Sequence, residues 1–105
     1  MFEQVDEIVR RYEKLNKLLA SPEVAREPDK IRAYSQEQAK IADLVETYRE
    51  YEGLSDELKG TRSMLDEETE LEMREMIGEE IKRLESQLSE AEGQLKHLLL
   101  PKDPR

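Results

Sequence analysis

Any catalytic or metal-binding reading of this sequence has to start from His97, the only histidine, and from the paired carboxylates Glu67-Glu68 and Glu79-Glu80. A single imidazole cannot supply the two-histidine zinc motif of a helix, nor a triad that draws on a second imidazole. His97 falls near the end of a helical pattern, where a basic side chain suits the negative end of the helix dipole, and that is its reading. The acidic pairs could ligate a divalent cation, but the glycine-containing acidic pattern of a calcium loop is absent, so they read as a solvated charged face. There is no cysteine, which removes thiolate ligands, thiol nucleophiles and disulfides together. Gly53, Gly60, Gly78 and Gly93 stand apart from one another and form no phosphate-cradling loop. No catalytic, cofactor-binding or metal-binding residue is assigned, no cofactor is expected, and the chain reads as a non-enzyme.

Two further groups could serve binding. Met64, Met73 and Met76 gather near a proposed turn, where flexible thioethers either meet a partner or fill an irregular helix junction; core filling is the expectation. Tyr34, Tyr48 and Tyr51 could stack on bases, but their neighbours Glu46, Glu50 and Glu52 are acidic, so they read as seam residues with hydroxyls at the rim.

The elements that would carry these residues are helical. Val5, Ile8, Val9, Tyr12, Leu15, Leu18 and Leu19 recur at the spacing of a helix with one buried face, predicting a first helix over residues 2–20. Ser21-Pro22 ends it, and Ser21 could cap a short turn. Pro28 and Asp29 suit the first turn of a second helix, expected over residues 28–63. It carries Ile31 and Tyr34, then a gapped seam of Ile41, Leu44, Tyr48, Tyr51, Leu58 and Leu65, with Ser55 and Arg62 in positions that would otherwise be apolar. Gly53 and Gly60 each cost about 1 kcal/mol relative to alanine, which makes the later half of this helix its weak part. Asp66 offers an N-cap oxygen, which places a turn over residues 63–67 and a third helix over residues 67–100. That helix has a seam of Met73, Ile77, Ile81, Leu84, Leu88, Ala91, Leu95 and Leu98, unbroken from Ile77 onward. The expected fold is all-α: one three-helix domain over residues 1–105, dominated by a long antiparallel, coiled-coil-like hairpin whose arms run about 50 Å.

Composition narrows the function classes. In 105 residues, 41% are charged and 36% belong to the apolar set, so little apolar surface is available and order depends on where it sits. The net charge of −9 repels a phosphate backbone, and no direct DNA binding is expected. Neither a signal-peptide pattern nor a membrane-length apolar run is present, so the expected location is the cytoplasm, without a membrane partner. The closing Leu98-Leu99-Leu100-Pro101 reads as a junction, over residues 101–105, to further domains rather than as a natural end.

Several stretches together carry a family resemblance. Arg11-Tyr12-Glu13 with Leu15 and Leu18-Leu19, then Ser21-Pro22-Glu23-Val24, resembles the opening of the bacterial class I peptide-chain release factors, in the branch called release factor one. Tyr48-Arg49-Glu50-Tyr51, Glu72-Met73-Arg74-Glu75-Met76 and Leu98-Leu99-Leu100-Pro101-Lys102-Asp103-Pro104 extend the similarity over essentially the whole chain. The resemblance implies an N-terminal helical domain, followed in the family by a codon-reading domain and a Gly-Gly-Gln domain that promotes peptidyl-tRNA hydrolysis. Gly93-Gln94 is not that motif, because Glu92 precedes it and Leu95 continues a helical seam. Also implied is docking on the ribosome at the stalk base and factor-binding region, where the class II release factor acts. The family's best-defined functional residues lie beyond Arg105, so partner-binding residues stay unassigned.

A second reading needs no family: an acidic coiled-coil scaffold that dimerises through the Ile77 to Leu98 seam. Even under the first reading the isolated chain could self-associate, through Leu99 and Leu100 that the rest of such a protein would cover.

Overall fold

The computed structural model describes residues 2–101. It is all-α, with no strand among the described residues, and the helices follow in the order α1 (Glu3–Leu19), α2 (Pro22–Ala25), α3 (Pro28–Glu67) and α4 (Leu71–Leu98). The chain divides into two compact units, Met1–Glu46 and Thr47–Arg105.

In the first unit, the stripe read from the spacing is the one that is covered. Val5 and Leu15 are fully buried and Ile8, Val9, Tyr12, Leu18 and Leu19 half-buried, while the intervening charged residues of α1, Arg11 apart, face solvent. Glu3 and Asp6 in the first turn and Lys17 in the last complement the helix dipole. After the cap at Ala20 the chain does not simply loop. Pro22 opens the one-turn helix α2, with Ser21 extended before it, although the serine hydroxyl makes no capping bond. This short helix was not part of the three-helix expectation. It buries Val24 and packs against α1. Pro28 then starts α3, and the Lys30 and Ile31 amides donate to the Glu27 carbonyl oxygen at 3.0 and 3.1 Å. Leu44 and Val45, consecutive residues of α3, complete the buried set of this unit.

The second unit holds the rest of α3 and all of α4. Arg62 meets Glu85, while Glu50 and Leu54 share a hollow with Gln87, Glu90, Ala91 and Gln94, so facing residue numbers fall on one helix as they rise on the other. That is antiparallel pairing. Leu58, Ile77, Leu84, Ala91 and Leu95 form the core, and no polar side chain is buried among the described residues of either unit.

The reversal comes later than residues 63–67. Ser63, Met64, Leu65, Asp66 and Glu67 all remain helical, and the chain bends over residues 68–70. Asp66 therefore sits inside the last turn of α3 instead of capping α4, whose cap residue Glu70 makes no side-chain capping bond. What closes the bend is Arg74. Its Nη1 donates to the carbonyl oxygens of Leu65 and Glu68, each at 2.7 Å, supplying partners for carbonyls that a helix C-terminus leaves open. The Glu70 amide donates to Glu68 Oε1 at 3.2 Å, and among the described residues none takes a positive φ. A guanidinium thus does the work usually given to a glycine in this setting. At the other end α4 stops at Leu98, because Pro101 disfavours helical geometry just before it. Of the motif ending Leu100-Pro101-Lys102-Asp103-Pro104, residues 102–104 lie outside the described residues.

Gly53 and Gly60 sit within the unbroken α3, and a Cβ on either would meet nothing within 4 Å. Each glycine thus costs helix propensity without relieving a clash. Gly53→Ala and Gly60→Ala are expected to raise the unfolding free energy by about 1 kcal/mol each, close to additively, in urea titrations followed by circular dichroism.

Candidate functional site

The best-built polar contact of the first unit joins α1 to α3. Arg11 donates from Nε to Glu37 Oε2 at 2.5 Å and from Nη2 to Glu37 Oε1 at 2.8 Å, a two-pronged pair whose side chains are less than half exposed. Gln38, the neighbour of Glu37 in sequence, donates to Asn16 Oδ1. Arg11 marks one of the stretches that carry the family resemblance, and here its side chain fastens the two helices. The hydrogen bond from Arg11 holds the Glu37 carboxyl below its ordinary value, partial desolvation opposing, and Glu37 in turn raises Arg11. A carboxyl depressed by folding stabilises the fold above its unfolded pKa and loses that contribution as pH falls through its folded pKa. Arg11→Gln is expected to move the Glu37 midpoint upward in a carboxyl-detected NMR titration; an unchanged midpoint would mean that the pair does not persist in solution.

The hollow between Glu50, Leu54, Gln87, Glu90, Ala91 and Gln94 measures about 120 Å³, below the roughly 300 Å³ at which small-molecule sites begin. A wider, open hollow of about 310 Å³ at the end of α4 is lined by His97, Leu98, Leu100 and Pro101, with His97 its one titratable group. His97 is exposed in the last turn of α4 beside Lys96, the dipole-complementing position read from the sequence. Glu80 pairs with Arg83 on its own helix, and the hydrogen bond holds its carboxyl low. Among the described residues no three His, Cys, Asp or Glu side chains converge on a possible metal position.

Tyr48 and Tyr51 are half-buried with rings 6.3 Å apart and nearly parallel, and Tyr34 is half-buried too. The methionines depart from expectation. They fill no core: Met64 is 56% exposed, Met73 38% and Met76 63%, with Leu71 beside them at 71%. The spacing did hold the signal, since Leu71 and Met76 lie off the seam running through Met73, Ile77 and Ile81. The α4 seam itself is occupied. Ile77, Leu84, Ala91 and Leu95 are buried within a single chain, leaving no free stripe from Ile77 to Leu95 for the dimerisation of the scaffold reading.

Residues 8–105 match the family described as the PCRF domain. The chain belongs to this family. Proteins carrying the name Peptide chain release factor 1 align with this PCRF chain over 104 residues, 99% of its length: that of Geobacillus sp. (strain WCH70) at 49% identity, of Geobacillus kaustophilus (strain HTA426) at 47% and of Bacillus subtilis (strain 168) at 44%. The chain spans 29% of the length of each, matching their N-terminal part. No solved structure matched. Among the described residues, no helix of this PCRF chain is long and apolar enough to cross a membrane.

Proposed function

We propose that this chain is the N-terminal docking module of a peptide chain release factor acting in translation termination. The observation that carries the reading is the 49% identity over 104 residues to a protein named Peptide chain release factor 1, together with the PCRF match over residues 8–105. In this role the module works on the ribosome in the cytoplasm, contacting the stalk base and factor-binding region, within reach of a class II release factor. It contributes no chemistry of its own. Helical arms that present exposed acidic faces suit contact with basic protein surfaces, where complementary charge speeds encounter and fixes register.

The test is sedimentation of the chain with ribosomes halted at a stop codon. Retention above that of an acidic helical peptide of matched charge is expected, with no release of the nascent peptide. Equal retention would overturn the docking role, and peptide release by this chain alone would overturn the non-catalytic assignment.

A further inference from the structure

The exposed large apolar side chains among the described residues fall in two groups, one at the bend between α3 and α4 and one at the end of α4. At the bend, Met64 belongs to the last turns of α3, Leu71 is the first residue of α4, and Met73 and Met76 follow one helical turn apart. Arg74, in the first turn of α4, reaches back to the carbonyl oxygens of Leu65 in the last turn of α3 and of Glu68 in the bend, so these turns are held together as one end of the hairpin. Single exposed apolar residues are ordinary on a protein surface, but four around one bend, three of them thioethers that can adapt their shape, are a surface suited to contact.

Their surroundings specify the partner. Asp66, Glu67, Glu70, Glu72 and Glu75 are all exposed, and none forms an ion pair among the described residues. Both basic residues nearby are committed, Arg62 to Glu85 and Arg74 to the bend carbonyls. An apolar end rimmed by five uncommitted carboxylates attracts apolar side chains flanked by lysine or arginine. It repels a phosphate backbone, and it repels a second copy of itself.

We propose that this end of the hairpin is a docking surface for a basic amphipathic helix of a protein partner. The assignment rests on the docking reading for its biological setting and names the face that carries it. Apolar side chains of the incoming helix seat against Leu71, Met73 and Met76, and its basic flanks meet the carboxylate rim. Both Leu71 and Met76 are more than half exposed, so polar replacements there remove the contact without opening the core.

The probe is a synthetic peptide of leucine and lysine patterned for one apolar helical face, titrated into chain labelled at the methionine methyl groups. Shifts at Met64, Met73 and Met76 are expected, with affinity falling as salt rises and dropping about tenfold or more in the Leu71→Gln, Met76→Gln double variant. The variant should retain its circular dichroism spectrum. The assignment is overturned if these methyls stay still, if a leucine and glutamate peptide moves them equally, if an oligoribonucleotide does so, or if raising the chain concentration alone does so. Ribosome sedimentation of both proteins separates the two readings. A variant that loses the peptide yet keeps full ribosome retention overturns this surface as the docking face and leaves the docking role intact. A wild-type chain that binds the peptide through these methyls but not ribosomes overturns the docking role and upholds the surface.

Discussion

Leu84→Ala is expected to lower the unfolding free energy by about 3 kcal/mol, read from the midpoint of a urea titration at unchanged slope. Leu84 has no exposed surface and lies at the middle of α4, where the seam is closed on both sides by Ile77 and Ala91. Truncation removes buried methyl groups and leaves a void that two long helices close poorly, since each is fixed by neighbouring seam contacts along its length. A small helical domain has only about 5–15 kcal/mol to lose. The exposed Leu100, truncated the same way, should cost well under 1 kcal/mol. If the two variants shifted the midpoint alike, the burial described for α4 would be wrong.

Val45→Asp should be more damaging, costing upwards of about 4 kcal/mol and abolishing most of the helical circular dichroism signal at 37 °C or below. Val45 is 1% exposed, and no polar side chain is buried among the described residues, so a carboxylate placed there finds neither water nor a ready donor. Val45→Ala separates charge from volume. Losing two methyl groups should cost about 2 kcal/mol and leave the chain folded. Because Val45 belongs to the first unit, the charged variant also tests how far loss of that unit carries into the hairpin. Retained shifts at Met64, Met73 and Met76 in an otherwise disrupted Val45→Asp protein would mean that the hairpin folds without it.

Val45 also marks what the sequence leaves hidden. A heptad seam singles out Leu44 and passes over its neighbour, because a two-helix contact buries a narrow stripe. Consecutive helical residues point about 100° apart, so burial of Leu44 and Val45 together requires a covered face wider than any seam. Spacing along one strand of sequence does not say how many neighbours a helix will have. Where the pattern was strict, as in α1 and from Ile77 to Leu95, periodicity alone identified the buried positions. The bend failed for another reason: Asp66 carries a local capping signal, but the deciding contact is Arg74 reaching back to Leu65, and a long side chain's choice of distant carbonyl has no local signature. Arg11 with Glu37 is of the same kind, two unremarkable charged residues until the helices meet. The methionines misled because their usual role as gap fillers outweighed their position off the seam.

The open glycines lend the hairpin a use as an instrument. The sequence has no native thiol, so Gly53→Cys and Gly93→Cys would create the only two attachment points in the protein, on stretches of α3 and α4 that line the same shallow hollow. Neither new Cβ would meet another atom within 4 Å, so nitroxide probes could be carried there with little disturbance. The axes of packed helices lie roughly 8–10 Å apart and both glycines face solvent, so the two nitroxides stand farther apart than the axes, in the range that pulsed dipolar spectroscopy reads. Lengthening of that distance when a partner is added would report that the helices are prised apart, and an unchanged distance that the partner is received by a rigid arm.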